Sequence, residues 1–413
     1  MSGLLVLGAG RHQTPLIARA ESRGIRSIAL DYYDDSPGKK IASAAVLADA
    51  LDIEAVLAAA RDHEIDAVTT VGTDQAVIVV ATVAHELGLP CHISIEGALA
   101  ATNKVNMRAA LQRAGVPMTT GVVLERNSAP HELVGLSLPC VVKAADSQGQ
   151  RGMRLIDDAA DLPEAIETAM RFSRTSTVVV EQFSAGLELT INAWMRSGEP
   201  VVMIPADRHT FNPPPAIGIC LRHVAPSVHR DQREALADIT NRVATGYNIS
   251  DGPLYIQLLS TAEGFRVVEA ASRVGGGHEA QLFEEMYGLS MLDLTIDLAF
   301  GRNDRSIPDI RGDRSGVVNF VVARPGTIER LSSIEPLIDD GLIDQGQWYV
   351  APGHEQSIIV DSLGRIGALV VTGPSHTDVL SRAAAAYGRL VAADREGANL
   401  VFWPEPAELN VAD

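Results

Sequence analysis

Cysteine is scarce in this chain: Cys91, Cys140 and Cys220 are the only three in 413 residues. They lie far apart and form no CxxC pair, which argues against both a disulfide framework and a zinc cluster. Basic residues are also in short supply. Lys and Arg number 34 against 52 Asp and Glu, a net charge of −18, and no Lys/Arg run offsets it locally. Such a chain repels nucleic acid and anionic membrane, so neither is an expected partner. No stretch approaches the ~20 apolar residues of a membrane span. The opening MSGLLVLGAG is too short and lacks the basic flank of a signal peptide, so it reads as a first strand of a cytoplasmic protein. Internal repeats, the phosphate-loop pattern GxxxxGK[ST] and any nucleophile-elbow motif are missing too. What is present is an ordinary globular balance, 46% hydrophobic to 21% charged, in a chain long enough for two or three compact units.

The N-terminal stretch alternates strands with helices. LLVLGAG, RSIALD, DAVTTVG and LPCHIS read as strands. PLIARAESRG, residues 53–64 and QAVIVVATVAHELG read as helices. That alternation predicts a doubly wound α/β unit over about 1–97. GAGRHQT resembles a dinucleotide turn with Asp31 about twenty residues on, but Gln13 stands where the third glycine belongs, so it reads as a tight strand-to-helix turn. The helix NKVNMRAALQRAGVP follows, capped by Asn103. The rhythm then changes. LPCVVKAAD, RGMRLID, STVVVEQF, LELTINAWM and EPVVMIPADR are strands with one helix over 160–173, and a helix at about 228–247 leads to GPLYIQLLSTAEGFRVVEAA. This predicts an α+β unit over 98–310, mainly antiparallel. From 311 to 413, SGVVNFVVARPG, QSIIVDS and RIGALVVTG read as strands, with the helix HTDVLSRAAAAYGRLV, giving a small C-terminal α+β lobe.

One hairpin carries chemistry. With TAEGF as a turn centred on Glu263, Gln257 and Glu269 are equidistant from it and face one another. Alternation adds Ala271 and Arg273 to the same face. An amide oxygen opposite a carboxylate suits a hard cation. An arginine fork beside it suits phosphate or carboxylate. Gly275 and Gly276 after it permit close backbone approach to a ligand. Two lysines add to this: Lys143 ends an apolar strand before the polar loop DSQGQRG (146–152), and Lys104 opens a helix, where the dipole disfavours a cation unless it faces an anion.

Together these residues resemble the ATP-grasp superfamily. NKVNMRAALQRAGVP, PCVVKAADSQGQRG, VVVEQFSAGLELTIN and GPLYIQLLSTAEGFRVVEAASRVGGG occur in that family's order and spacing. The resemblance implies an N-terminal doubly wound α/β domain, then an ATP-grasp fold, then a small C-terminal α+β lobe like that of the amino-acid-ligase branch. It matches Lys104 and Lys143 to phosphate-binding lysines. Glu181, Gln182 and Phe183 match the adenine hinge, and Glu188 the ribose acid. Gln150 and Gly152 belong to the loop over the phosphates. Gln257 and Glu269 match metal ligands for Mg2+ or Mn2+, with glutamine at the first as in the carbamoyl-phosphate-synthetase-like branch. Arg273, with Lys143, matches the catalytic cations. Residues 207–227 resemble a loop that reads the first substrate, which nominates Arg222 and His223 with Arg273, Gly275 and Gly276 as substrate contacts.

The implied activity is ATP-dependent ligation of a small carboxylate to a small amine through an acyl phosphate, releasing ADP and phosphate; a homodimer is compatible with it. Two anions at about 4 Å repel by several kcal/mol at an effective dielectric near 20, so the cations would cancel that repulsion. Two departures qualify the match. Ala271 stands where the family places an asparagine ligand. Cys220 stands where an acid commonly grips a substrate ammonium, which points to a substrate with an additional acid group or without a free α-amine. Two other activities fit the same residues: activation of bicarbonate by a carbamoyl- or carboxy-phosphate enzyme, and nucleotide binding without turnover.

Overall fold

A computed structural model describes residues 2–125, 136–147, 149–213, 216–310, 314–405 and 408–410. Residues at the expected boundary near 311, and Gln148 within the expected phosphate loop, lie outside the described residues.

The first unit is built on parallel strands β1 (Gly3–Leu7), β2 (Arg26–Asp31), β3 (Ala44–Leu47) and β4 (Ala67–Thr69), in the order β3-β2-β1-β4. Leu4, Leu5, Val6 and Leu7 are all fully buried because helices cover both faces. Those are α1 (Thr14–Ser22), α2 (Ile53–Asp62) and α3 (Ala76–Leu87). The strand expected at LPCHIS is not formed, and AAVL at β3 joins the sheet instead. In place of a strand, Ser94 caps α4 (Ile95–Thr102) by accepting from the Gly97 N–H.

α5 (Lys104–Arg113) starts as expected at Asn103, whose side chain accepts from the Val105 and Asn106 N–H groups. Then comes an antiparallel sheet of β5 (Gly121–Glu125), β6 (Cys140–Ala144), β7 (Arg154–Ile156) and β8 (Thr177–Gln182), ordered β5-β8-β6-β7, with α6 (Leu162–Phe172) packed on it. The largest sheet runs through β9 (Leu187–Arg196), β10 (Glu199–Phe211), β11 (Ile219–Ala225), β12 (Gly252–Thr261), β13 (Gly264–Ala271) and β14 (Ser315–Ala323). Its order is β13-β12-β9-β10-β11-β14, continued by strands Arg365–Gly373 and Gln345–Trp348. Strands from both sides of residue 311 therefore share one antiparallel sheet. α7 (Arg233–Tyr247) packs on its apolar face, where Leu189, Ile191, Ile256 and Leu258 join one core with Leu236 and Val243. Alternation turns Glu188, Thr190 and Asn192 of β9 to the opposite face, where α8 (Glu279–Tyr287) begins. The strand expected at QSIIVDS reduces to His354–Gln356. Ile358 and Val360 are exposed and only Ile359 of the three is buried, so among the described residues that stretch has no sheet neighbour to hold it.

The hairpin β12–β13 departs from the expected symmetry in a way that preserves its outcome. Thr261 pairs with Gly264, so the turn is centred between Ala262 and Glu263 rather than on Glu263. A regular ladder from that turn would set Gln257 opposite Val268. A bulge adds one residue to β13 between the Leu258–Val267 and Gln257–Glu269 pairs. It restores the cross-strand pairing of amide and carboxylate.

Candidate active site

Two cavities meet at that pair. The smaller, about 270 Å³, lies between the β5–β8 sheet and the β12–β13 hairpin and is lined by Lys104, Lys143, Glu181, Gln182, Phe183 and Glu188. The larger, about 670 Å³, runs on towards the N-terminal unit and is lined by Arg11, Asp74, Arg208, His223, Arg273 and Arg365. Gly149, Gln150, Arg151, Gln257 and Glu269 line both.

Lysines converge from two elements on the smaller cavity. Lys143 is buried on β6, with Nζ 2.7 Å from Glu181 Oε2. Glu181 also meets Arg108 of α5 at 2.7 Å. Gly121 makes this trio possible, since a Cβ there would sit 2.8 Å from Glu181 Cγ. Lys104 Nζ donates to the Ser147 carbonyl at 2.6 Å and lies 3.1 Å from Glu269 Oε1. Burial disfavours its charge, but Glu269 and Asp74 outweigh that and hold Lys104 above the ordinary lysine value. Burial likewise pushes Glu269 up, while Lys104 and Lys143 prevail and hold it below the usual carboxylate range. Glu269 is therefore a charged oxygen donor at neutral pH.

Several nominated side chains are committed within the protein. Gln182 Oε1 accepts from the Ser137 N–H and hydroxyl at 2.9 Å, its Nε2 donates to the Pro139 carbonyl, and the Phe183 N–H donates to that same carbonyl. The resemblance implies a hinge role for both residues; their placement leaves the Gln182 side chain and the Phe183 N–H already bonded. Glu188, nominated for ribose, accepts from Arg208 and from Gln257 Nε2, the latter at 2.7 Å. That bond orients the Gln257 amide and leaves its Oε1 for an ion. Two protein oxygens suit Mg2+, which keeps waters and phosphate oxygens in its remaining positions. Ala271 lies buried opposite Tyr255 and adds no donor. Among the described residues, no three His, Cys, Asp or Glu side chains gather as a metal group.

The polar loop after β6 rests on the C-terminal region. The Ser362 N–H donates to the Gly149 carbonyl at 3.2 Å and its hydroxyl to Gln150 Oε1. Gly152 turns away from both cavities, and a Cβ there would meet the Phe172 ring at 2.8 Å. Packing against Phe172 and a left-handed backbone (φ 71°) both favour glycine there.

In the larger cavity Arg273 reaches Asp74 of the N-terminal unit at 2.5 Å and stacks over Tyr255, 4.9 Å from the ring centre. Its Nε and Nη1 have no hydrogen-bond partner among the described residues. Burial drives Asp74 above the usual carboxylate value even against Arg273. The glycines that follow serve the protein itself. A Cβ at Gly276 would lie 3.2 Å from Gly72 Cα, one at Gly275 3.0 Å from the Tyr255 ring, and one at Gly277 2.9 Å from His223 Nε2. The close backbone approach expected of Gly275 and Gly276 is thus to other parts of the chain, although Gly276 does line the cavity.

Arg222 is a correction. A bulge at Leu221 sets Cys220 and His223 on one face of β11 and Arg222 on the other. Arg222 Nε donates to Asn319 Oδ1 at 2.5 Å, and the guanidinium stacks 4.6 Å over Trp403. It lines neither cavity. Arg208, the last residue of the expected strand EPVVMIPADR, carries no local signal and does line the larger one. We expect Arg222→Ala to cost about 1–2 kcal/mol of stability through lost stacking and hydrogen bonding and to leave the KM of the acid substrate within about twofold, since a lost ionic contact would raise it tenfold or more. Thermal melts and steady-state kinetics check both.

Cys220 Sγ lies 3.3 Å from His223 Nε2, and His223 Nδ1 lies 3.5 Å from Glu279 Oε1. Burial pushes the thiol up, but His223 and Arg208 outweigh it and hold Cys220 below its usual value. Burial opposes the His223 charge, while Cys220 and Glu279 sustain it. Glu279 is fully buried and accepts from Thr190 and Asn192. Asp74, Arg208 and Glu279 carried no sequence signal, because nothing local marks residues that meet only across the fold.

Buried histidines make stability sensitive to acid. Burial lowers His209 and His278 to about 4, with help from Arg222 and Arg365 respectively. The unfolded chain takes up those protons near pH 6.5 and the folded chain does not, so stability falls as pH drops from about 6.5 towards 4. At pH 5 each histidine is expected to cost about 1–2 kcal/mol. His278→Asn should lose less on acidification in thermal melts at pH 7 and pH 5; asparagine tolerates the left-handed backbone there (φ 62°).

Residues 136–281 match the family model described as an ATP-grasp domain. The chain is 26% identical over 282 residues to the uncharacterized protein y4rH of Sinorhizobium fredii, covering 67% of this chain and 57% of that one. It is 30% identical over 210 residues to the formate-dependent phosphoribosylglycinamide formyltransferase of a Synechococcus species, covering 49% and 53%. The chain thus spans little more than half the length of these curated relatives. Its fold resembles the crystal structure of an L-amino acid ligase from Bacillus licheniformis, with a TM-score of 0.80 at 19% identity over 94% of this chain and 98% of that one. Among the described residues no helix is long and apolar enough to cross a membrane.

Proposed function

With an ATP-grasp domain over residues 136–281 as its premise, we propose that this protein is an ATP- and Mg2+-dependent ligase, acting in the cytoplasm, that joins a small carboxylic acid to a small amine. The observation that carries this reading is the meeting of a lysine-lined cavity and an arginine-lined cavity at the Gln257–Glu269 pair. Lys104 and Lys143 would hold the phosphates of the nucleotide in the smaller cavity. Gln257 and Glu269 would hold the divalent ion, which when bound offsets phosphate charge. Arg273 would orient the acid for attack on the terminal phosphate and stabilise the charge that develops. Glu188 would position Gln257. Gly149 and Gln150, seated on Ser362, would help exclude water from the acyl phosphate before an amine displaces phosphate. In this reading residues 1–97 and 311–413 would join Arg208, His223 and Arg273 of the middle segment in walling the acid cavity, and residues 98–310 would carry the nucleotide. No covalent protein nucleophile is required.

The test is ADP and phosphate release over paired pools of acids and amines. Release that requires both an acid and an amine supports the ligase. Release that requires bicarbonate, or tight nucleotide binding with no release, would replace it with one of the rival activities.

A further inference from the structure

We infer that the part of the larger cavity lined by Arg11 and Arg365 is an oxyanion subsite that binds a second acidic group of the acid substrate. This rests on the ligase reading for what the acid is used for, but not for the binding itself.

The observation is an imbalance of charge. The chain carries 52 acidic residues against 34 Lys and Arg, and three of its enclosed arginines each have a carboxylate: Arg108 with Glu181, Arg208 with Glu188, Arg273 with Asp74. Arg365 is only 9% exposed and lines the cavity, yet no carboxylate meets it among the described residues. Its Nε donates to the Ser362 carbonyl at 2.9 Å, and its guanidinium lies over Phe320, 4.0 Å from the ring centre. Arg11 lines the same cavity, stacked 4.3 Å over Tyr349, and it too has no carboxylate partner among the described residues. Stacking occupies the face of a guanidinium and leaves its N–H edge for in-plane bonds to an oxyanion.

Asp31 and Asp49 also line this cavity, but Asp31 accepts from the Ala9 and Tyr33 N–H groups and Asp49 from the Leu51 N–H, and neither is ion-paired with Arg11 or Arg365 among the described residues. His278 Nε2 bonds the Tyr349 hydroxyl at 2.6 Å, and Cys220 is paired with His223. Burial lowers both arginines and holds His12 and His278 neutral at about 3 and about 4. An enclosed guanidinium without a counter-ion is costly, and an anion arriving with the substrate relieves that cost. Arg273, Gln257 and Glu269 line the same cavity, so one acid group would reach the phosphates while the other is anchored by Arg11 and Arg365. A dicarboxylic acid and an acid bearing a phosphate or phosphonate share this chemistry.

Calorimetry on the full chain, with and without saturating ADP, tests it with butyrate, glutarate and 3-phosphonopropionate. At least one of the two dianions is expected to bind tenfold or more tightly than butyrate. Preference for glutarate identifies a carboxylate class and preference for the phosphonate a phosphoryl class. Arg11→Met and Arg365→Lys should each reduce the preference to about threefold or less while leaving ADP affinity unchanged. Equal binding of all three acids, or a preference that survives both substitutions, overturns the subsite. Failure of ADP to bind would overturn the ligase reading instead, and the charge preference measured without nucleotide would still decide the subsite. Arg11 is half-buried on a turn, so its variant folds even if the Arg365 variant does not.

Discussion

Glu269→Ala is expected to lower ADP release by a thousandfold or more while leaving the fold intact. The loss follows from position. Glu269 is the one carboxylate of the cross-strand pair, and the lysines beside it keep it ionised. Its partner Gln257 is neutral, so without Glu269 a divalent ion would have a single uncharged protein donor. Electrostatic stabilisation of a transferring phosphoryl group is commonly worth about three orders of magnitude or more. The fold has little stake in this side chain, which is about one-third exposed. Lys104 would keep its bond to the Ser147 carbonyl. A melting temperature within a few degrees of the parent, together with lost turnover, is the expected pair of results. Retained turnover would remove the metal assignment and, with it, the proposed reaction.

Arg273→Met should act on both stability and catalysis. It leaves Asp74 enclosed without its guanidinium, and breaking an enclosed ion pair from one side typically costs about 3–5 kcal/mol. Catalysis is lost separately, because the methionine offers nothing to an acid or a phosphate. Adding Asp74→Asn distinguishes the two. The double variant should recover most of the lost stability in denaturant titrations, since no stranded charge remains, and should recover none of the activity. If the double variant regains turnover, Arg273 only holds Asp74 in place and does not touch the substrate.

The sequence alone determined what local chemistry can determine. The apolar runs of β1 and β2, the Asn103 cap and the glycine stops fixed most elements, because backbone propensity and burial act within a few residues. It also placed Gln257 opposite Glu269, although by a symmetric turn where the chain uses an offset turn plus a bulge. Tertiary structure decided everything that depends on face and partner. A bulge at Leu221 exchanged Arg222 for His223 at the cavity wall, and a missing sheet neighbour cancelled the strand at QSIIVDS. Asp74 met Arg273 across 199 positions, and Arg11 met Arg365 in one cavity across most of the chain. Side-chain alternation propagates along a strand only until one inserted residue reverses it. Long-range pairing is set by how separate layers pack, and no spacing within a single segment encodes that.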